Sequence, residues 1–170
     1  MFFFIFVRYK KAYPLNDNTN DEPYRKIFEF ENQKIKFEFL DKSAYEDKTP
    51  PINYLKIADG FVVVFSINKL ESFKYVENFI EESLVKNNFE KKPFVIVGSK
   101  RDLENERQVT KTEASSLAEK WNTKYFETQM KDLSNVDDPF LEVIRLIKLT
   151  RELNKVVEKP LEKEKKCIIN

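Results

Sequence analysis

The chain has 170 residues, of which 41% are hydrophobic and 35% charged, and its 30 basic and 29 acidic residues give a net charge of +1. This length suits one domain with a sizeable core, and the charge balance excludes the basic surface on which nucleic-acid binding depends. The absence of histidine excludes His-based triads and His metal sites, and the single cysteine excludes an internal disulfide framework.

The chain begins with a short apolar run, Phe2 to Val7, followed by basic residues. A signal peptide carries its basic residues before a longer apolar region, and a transmembrane helix needs about 20 apolar residues. The run fits neither pattern. We therefore interpret it as a buried strand or the start of a helix.

The next elements are a hairpin and a polar loop. Residues 24–31 and 34–40 alternate between apolar and polar side chains on either side of Asn32-Gln33, which predicts two antiparallel strands. Residues 41–59 are polar and contain Pro50-Pro51, so we expect a loop with one helical turn at most.

Buried strands and amphipathic helices alternate through the rest of the chain. Continuous apolar runs predict strands buried on both faces, and apolar residues at helical spacing predict helices. In chain order we expect a strand at 61–67, a helix at 70–84, a strand at 93–97, a helix opened by a capping box of Thr110 and Glu113, a short strand at 124–128, a helix at 140–153 and a flexible Glu/Lys-rich tail. This order predicts an α/β fold, a mostly parallel sheet with helices on both faces and a ligand site at the carboxyl ends of its strands.

From about Asp21 onward, six motifs in order resemble those of a Ras-family small GTPase. They are YRKIFEF for the second strand, FLDKSAYED in place of Asp-Thr-Ala-Gly-Gln, GFVVVFSINKLESF for the fourth strand and its helix, FVIVGSKRDL for Asn-Lys-x-Asp, YFETQMK for Glu-Thr-Ser-Ala-Lys, and CIIN for a prenylation box. The resemblance implies a P-loop-NTPase-like small GTPase fold with one antiparallel edge strand. It also implies a Ras-like domain over residues 1–157 and a tail over 158–170.

The resemblance assigns a guanine-binding site to two loops. Asp102 matches the carboxylate that accepts hydrogen bonds from the guanine ring, and Lys100 matches the lysine that packs over the base. Met130 supplies the backbone N–H aimed at guanine O6. The remaining members are Ser99 and Gln129, which replace an asparagine and a serine, and Lys131, which is retained. The base-binding half of the site is therefore plausible but eroded.

The phosphate-binding half is missing from the sequence. Phosphates are cradled by a Gly-x-x-x-x-Gly-Lys-Ser/Thr loop, and the two glycines here, Gly60 and Gly98, cannot form one. Thr19 and Asp41 match a vestigial Mg²⁺ site, whereas Tyr45 replaces the glutamine that orients the attacking water. We expect no GTP hydrolysis, at most weak binding of GTP or GDP, and impaired Mg²⁺ binding.

The resemblance leaves the N-terminus open. Counted back from Tyr24, Met1 falls where the family begins its first helix, so the first strand and phosphate loop are either missing or replaced. We favour replacement, with the Phe2–Val7 run in the central slot of the sheet, parallel to the third strand. If neither the family's first strand nor a replacement filled that slot, the sheet would have a gap and fold poorly.

The C-terminal tetrapeptide, which begins at Cys167, implies prenylation at that cysteine, with nearby lysines attracted to anionic lipid on the cytoplasmic face of a membrane, the plasma membrane in our interpretation. Asp21, Glu22 and Tyr24 resemble the family's effector surface. The function implied is a membrane-tethered signalling or interaction module without a nucleic-acid partner. The alternatives are a nucleotide-independent pseudo-GTPase scaffold, an incomplete copy of an active Ras-type GTPase, and a fragment that never folds stably.

Overall fold

A computed structural model describes residues 3–9, 24–30, 33–43, 52–85, 92–129 and 135–157. The elements, in chain order, are β1 (Phe3–Tyr9), β2 (Tyr24–Phe30), β3 (Gln33–Ser43), α1 (Ile52–Ile57), β4 (Gly60–Ser66), α2 (Leu70–Asn78) with a π-helical continuation (Phe79–Val85), β5 (Phe94–Ser99), a 3₁₀ helix (Arg101–Glu106), α3 (Lys111–Lys120), β6 (Tyr125–Glu127) and α4 (Asp138–Val157). Within these stretches, every helix is too short or too polar to cross a membrane.

The described strands form one sheet in the order β2-β3-β1-β4-β5-β6. Strands β4, β5 and β6 are parallel to one another, and β2 pairs antiparallel with β3 as the alternation of their side chains predicts. The α/β fold class is therefore confirmed, and so are the hairpin, the buried strands and the helices that alternate with them. The capping box is confirmed as well, because the Glu113 N–H donates to Thr110 Oγ1 and the Thr110 N–H donates to the Glu113 carboxylate.

The N-terminal run occupies the central slot of the sheet, as β1 between β3 and β4. Its predicted direction is wrong, however, because β1 is antiparallel to both neighbours, with Val7 opposite Phe39 on one side and Gly60 on the other. Two strands therefore oppose the common direction, the edge strand β2 and the interior strand β1. A run of seven mostly apolar residues has the same pattern in both directions, so its hydrophobicity does not determine which way it runs.

Strand β3 continues to Ser43, three residues beyond the predicted end of the strand at Leu40. The additional residues pair with the start of β1, where Ser43 lies opposite Phe3. A neighbouring backbone that can accept and donate hydrogen bonds is what makes an extended conformation favourable for these polar residues. The polar loop predicted for 41–59 is thus shorter at its start, and it contains α1 as its helical turn.

Apolar side chains pack against both faces of the sheet. On one face, α1, α2 and α3 cover the strands, and the centre of this cluster contains Phe65, Ile67, Phe73 and Ile96. On the other face, α4 covers the strands through Val143, Ile144 and Ile147, which contact Val7, Val62, Val95 and Val97. Among the described elements, α4 is the one helix on this second face.

Candidate guanine-binding site

The parallel pairing of β5 with β6 brings the two predicted guanine-binding loops together. The backbone N–H of Thr128 donates to the carbonyl of Gly98 at 2.9 Å, and the N–H of Arg101 donates to the carbonyl of Thr128 at 3.1 Å. These bonds lock the loop after β5 to the loop after β6. Ser99, Lys100 and Gln129, from opposite sides of this junction, line one pocket.

Ser99 braces its loop in a way that the sequence comparison did not predict. Its hydroxyl donates to the carbonyl of Phe65 at 2.7 Å and so ties the end of β5 to β4. Lys100 follows with φ 64° and ψ 38°, a left-handed conformation that is uncommon for a residue with a Cβ, and its side chain is exposed. Asp102 lies in the first turn of the 3₁₀ helix and is also exposed. Met130 and Lys131, predicted for this site, lie outside the described residues.

A partly buried polar network supports the same two loops and was missed by sequence reasoning. The Arg107 guanidinium donates to both carboxylate oxygens of Glu127, at 2.9 and 3.1 Å. The hydroxyl of Tyr125 donates to the same carboxylate at 2.7 Å. The hydrogen bonds that Arg107 donates, first to Glu104 and second to Glu127, raise its pKa. The sequence signal was weak, because Arg107 and Glu127 are 20 residues apart and no spacing rule pairs them.

Both glycines occupy strands where another group approaches closely. A Cβ on Gly98 would overlap the Tyr125 hydroxyl and lie 3.0 Å from Ile67 Cγ2, and one on Gly60 would lie 2.8 Å from the carbonyl oxygen of Pro93. Neither glycine has a positive φ. These glycines therefore make room for packing between elements, which is different from the turn geometry that a phosphate-binding loop requires.

The pocket beside the guanine-binding loops has a volume of about 480 Å³. Its described lining is mostly apolar and belongs to β1, β4, β5, the loops after β5 and β6, and the residues around the start of α4. The lining residues are Ile5, Val62, Val64, Val97, Ser99, Lys100, Thr128, Gln129, Val136, Pro139 and Phe140.

The carboxyl end of β1 lies far from this pocket. Val7 pairs with Gly60 at the start of β4, and the Asp59 N–H donates to the Val7 carbonyl at 2.9 Å. Ser99, by contrast, pairs with Ser66 at the end of β4. Six residues of β4 separate the two levels, which at about 3.3 Å per residue is roughly 20 Å. Strand β1 thus ends at the end of the sheet opposite the guanine-binding loops.

The other predicted site residues are only partly described. Asp41 lies within β3 with its backbone opposite Ile5, whereas Thr19, the second residue of the vestigial Mg²⁺ site, lies outside the described residues. In the described part of the chain, no three acidic or cysteine side chains are grouped closely enough to hold a metal ion.

The predicted effector surface and lipidation site are likewise described only in part. Tyr24 begins the edge strand β2 and is 68% exposed. Asp21, Glu22 and Cys167 lie outside the described residues.

The helix α1 has a cap that the sequence did not predict. It begins directly after Pro51, and the ammonium group of Lys92 donates to the carbonyls of Leu55, Lys56 and Ala58 at 2.7–2.8 Å. Burial lowers the pKa of Lys92. A cation on the final carbonyls of a helix satisfies groups that lack partners within the helix and stabilises the helix dipole.

We expect Lys92→Met to destabilise α1 locally. The substitution keeps the aliphatic stem and removes the donor, so that three carbonyls lose a charged partner at a cost of about 1–2 kcal/mol. Hydrogen exchange of the α1 amides should accelerate by roughly tenfold, because 1.4 kcal/mol corresponds to tenfold in an opening equilibrium. Lys74→Met, at an exposed lysine of α2, is the matched control and should leave α1 exchange unchanged. Equal exchange in both variants would contradict the capping role.

Comparison with known proteins identifies the family. The family model described as "Ras family" matches residues 3–149. The chain belongs to the Ras family. It is 38% identical over 132 residues to Ras-related protein Ral-B of Mus musculus, covering 76% of this chain and 64% of that protein. It is 31% identical over 159 residues to Ras-like protein rasS of Dictyostelium discoideum, covering 89% of this chain and 82% of that protein.

The chain is also 39% identical over 132 residues to Ras-related protein ralB-A of Xenopus laevis. The matched region thus covers 64% of the length of the Ral-type relatives. Ras-family membership confirms the fold class and the small-GTPase ancestry that the six motifs predict. GTP or GDP with Mg²⁺ is the ligand set of this family, and protein effectors and regulators are its partners.

Proposed function

We propose that this chain is a Ras-family signalling protein that has lost GTP hydrolysis and acts mainly as an interaction module. The observation that carries the proposal is the direction of β1. Phosphate groups are held in this family by a loop at the carboxyl end of the first strand, and that end here lies roughly 20 Å from the guanine-binding loops. The two glycines, both committed to strand packing, support the same conclusion.

Weak guanine binding is the second part of the proposal. The loops after β5 and β6 are held together by backbone hydrogen bonds, and Ser99, Lys100 and Gln129 converge on one pocket. Asp102 is proposed to accept the guanine N–H groups. Met130 and Lys131 would complete the site as the resemblance implies. Binding would depend on the base alone, because the described residues offer no phosphate-binding loop.

Titration with a fluorescent GDP analogue, with and without Mg²⁺, tests both parts. We expect weak binding that Mg²⁺ does not strengthen, and no phosphate release from GTP. Asp102→Ala should weaken binding by about tenfold or more, because a hydrogen bond to a charged group contributes about 1.5–3 kcal/mol. Glu119→Ala, at an exposed carboxylate of α3, is the control. Mg²⁺-dependent tight binding, or GTP turnover abolished by Asp102→Ala, would overturn the proposal.

Protein partners are proposed to bind along the edge strand β2. At the edge of the described sheet, β2 exposes Tyr24 and Ile27, with 68% and 64% of their surfaces accessible. An edge strand offers backbone donors and acceptors to which a partner can add a strand, while exposed side chains supply selectivity. Asp21 and Glu22, just before β2, are proposed to belong to the same surface. The alternative function, a nucleotide-independent pseudo-GTPase scaffold, rests on this exposed edge, because addition of a partner strand to β2 requires no nucleotide.

Membrane attachment through Cys167 completes the proposal. The tail over residues 158–170 would carry a prenyl group at Cys167, with lysines nearby on anionic lipid, and residues 1–157 would form the domain that it tethers. Incorporation of a labelled isoprenoid into the wild type but not into Cys167→Ser, with matching loss of membrane fractionation, is the expected result. Equal labelling of both proteins would contradict it.

A further inference from the structure

We propose that the pocket beside α4 binds an anionic amphiphile, a medium-chain carboxylate, with its aliphatic chain along the sheet and its carboxylate at Lys100. The pocket of about 480 Å³ falls in the size range of small-molecule sites. The pocket shares Ser99, Lys100 and Gln129 with the proposed guanine site, and this proposal goes beyond guanine binding by assigning a different class of ligand to the protein.

The apolar and the polar lining residues of the pocket lie at different levels along the strands. Val62 and Val64 of β4 and Val97 of β5 lie toward the interior of the sheet, and their side chains belong to the face that α4 covers. Of the polar lining residues, Ser99 ends β5 and Gln129 lies two residues beyond β6. A ligand that matches both regions has one long apolar part and one polar end.

The register of the strands sets the length of the apolar part. Val62 pairs with Val95, and Ser99 lies four residues further along β5. At about 3.3 Å per residue, the apolar floor extends roughly 13 Å before the polar residues begin. Ile5, which lies beside Val62 in the sheet, and Phe140 of α4 also line the pocket and are only half-buried, so both present surface to a ligand. The shape favours an extended aliphatic chain over a compact polar molecule.

The sign of the polar end follows from Lys100. Among the described residues of the lining, Lys100 is the one with a charged side chain, and it lies at the polar end of the pocket. Its left-handed backbone, with φ 64°, is fixed between β5 and the 3₁₀ helix. A lysine at the polar end of an apolar channel favours a carboxylate over a neutral or cationic head, because its ammonium group can donate a charge-assisted hydrogen bond to the carboxylate.

Isothermal titration calorimetry of the full chain with a series of carboxylates tests the proposal. We expect saturable one-to-one binding that strengthens by about three- to fourfold with each methylene from octanoate to dodecanoate, as burial of a CH₂ group implies. Dodecyltrimethylammonium, with the same chain and the opposite charge, should bind at least about tenfold more weakly than dodecanoate. Equal binding of both ions, or affinity independent of chain length, would overturn the proposal.

Variants test each end of the pocket. Lys100→Gln should remove the preference for dodecanoate over dodecyltrimethylammonium, whereas Lys74→Gln, at an exposed lysine of α2, should retain it. Val136→Phe should weaken both ligands by filling the channel, and a circular dichroism melt checks that this variant folds. Unchanged binding in both Lys100→Gln and folded Val136→Phe would place the ligand elsewhere.

Asp102→Ala separates this site from the proposed guanine site. Because Asp102 is not among the described residues of the lining, the variant should bind dodecanoate as the wild type does. Its effect on the GDP analogue then reports on guanine binding alone. Loss of dodecanoate binding in Asp102→Ala would contradict the assignment of the carboxylate to Lys100.

Discussion

Val7→Asp is expected to prevent the chain from folding at neutral pH. Val7 is completely buried at the centre of the sheet, paired with Phe39 on one side and Gly60 on the other. An aspartate there has no described cation to pair with, so it must either remain charged in an apolar core or take up a proton at neutral pH. Either route costs more than about 4 kcal/mol, a large part of the 5–15 kcal/mol by which domains are stable.

Two further variants make this expectation quantitative. Val7→Ala removes two methyl groups without adding charge and should cost roughly 2 kcal/mol in urea unfolding, from the lost burial and the cavity that remains. Ile27→Asp is the matched control, because Ile27 lies in the edge strand of the same sheet and is 64% exposed. Its cost should stay within about 1 kcal/mol, the range of strand propensity. If Val7→Asp were tolerated as well as Ile27→Asp, β1 would not be the central strand.

The sequence specified most of the fold because its patterns were local. The alternation before and after Asn32-Gln33 determined the hairpin, and the capping box at Thr110 determined where α3 begins. The direction of β1 could not be predicted in the same way, because a strand that is apolar on both faces has the same pattern in either direction. The direction depends on tertiary pairing. β1 ends opposite Phe37 and β2 begins opposite Phe39, so the chain between them has to cross only β3.

The candidate site shows the same division between local and tertiary information. Ser99, Lys100 and Asp102 were predicted because their motif is contiguous, and the parallel pairing of β5 and β6 joins their loop to Gln129. The groups that hold the loops in place are distant in sequence and could not be predicted. Ser99, which replaces the family's asparagine, still braces the loop through the hydrogen bond that it donates to the carbonyl of Phe65.

Together, these features describe a Ras-family sheet that retains the guanine-binding loops and has a reversed first strand. At the carboxyl ends of β5 and β6 the loops are joined by hydrogen bonds and retain the guanine motif. The position held in the family by the end of the first strand is taken here by the start of β1, because that strand is reversed. Reversal of β1 thus accounts for the proposed loss of phosphate binding.

Glu127→Gln is expected to destabilise the protein by about 2–3 kcal/mol, because it leaves a partly buried guanidinium without its main counter-charge. The Arg107 side chain is 12% exposed and that of Glu127 is 9% exposed, whereas Glu104, the other partner of Arg107, is 57% exposed. Although the Arg107–Glu104 distance is shorter, at 2.6 Å against 2.9 Å, water screens that pair. Glu104→Gln should therefore cost less than about 1 kcal/mol and serves as the matched control.

The same substitution should weaken guanine binding, and this distinguishes the network from an ordinary surface ion pair. Burial raises the pKa of Tyr125, and its hydrogen bond to Glu127 raises the pKa further, so the hydroxyl remains a donor to that carboxylate. Tyr125 also lies against Gly98, directly before Ser99. Loss of the negative charge weakens the hydrogen bonds that Tyr125 and Arg107 donate at position 127 and should loosen both loops, while Arg107 keeps its bonds to Glu104 and to the carbonyl of Val109. Urea unfolding at low salt and in 1 M NaCl provides the measurement, because a screened surface pair loses its contribution at high salt whereas a buried one keeps most of it. A cost for Glu127→Gln equal to that of Glu104→Gln, or abolished by salt, would mean that the Arg107–Glu127 pair is only a screened surface pair.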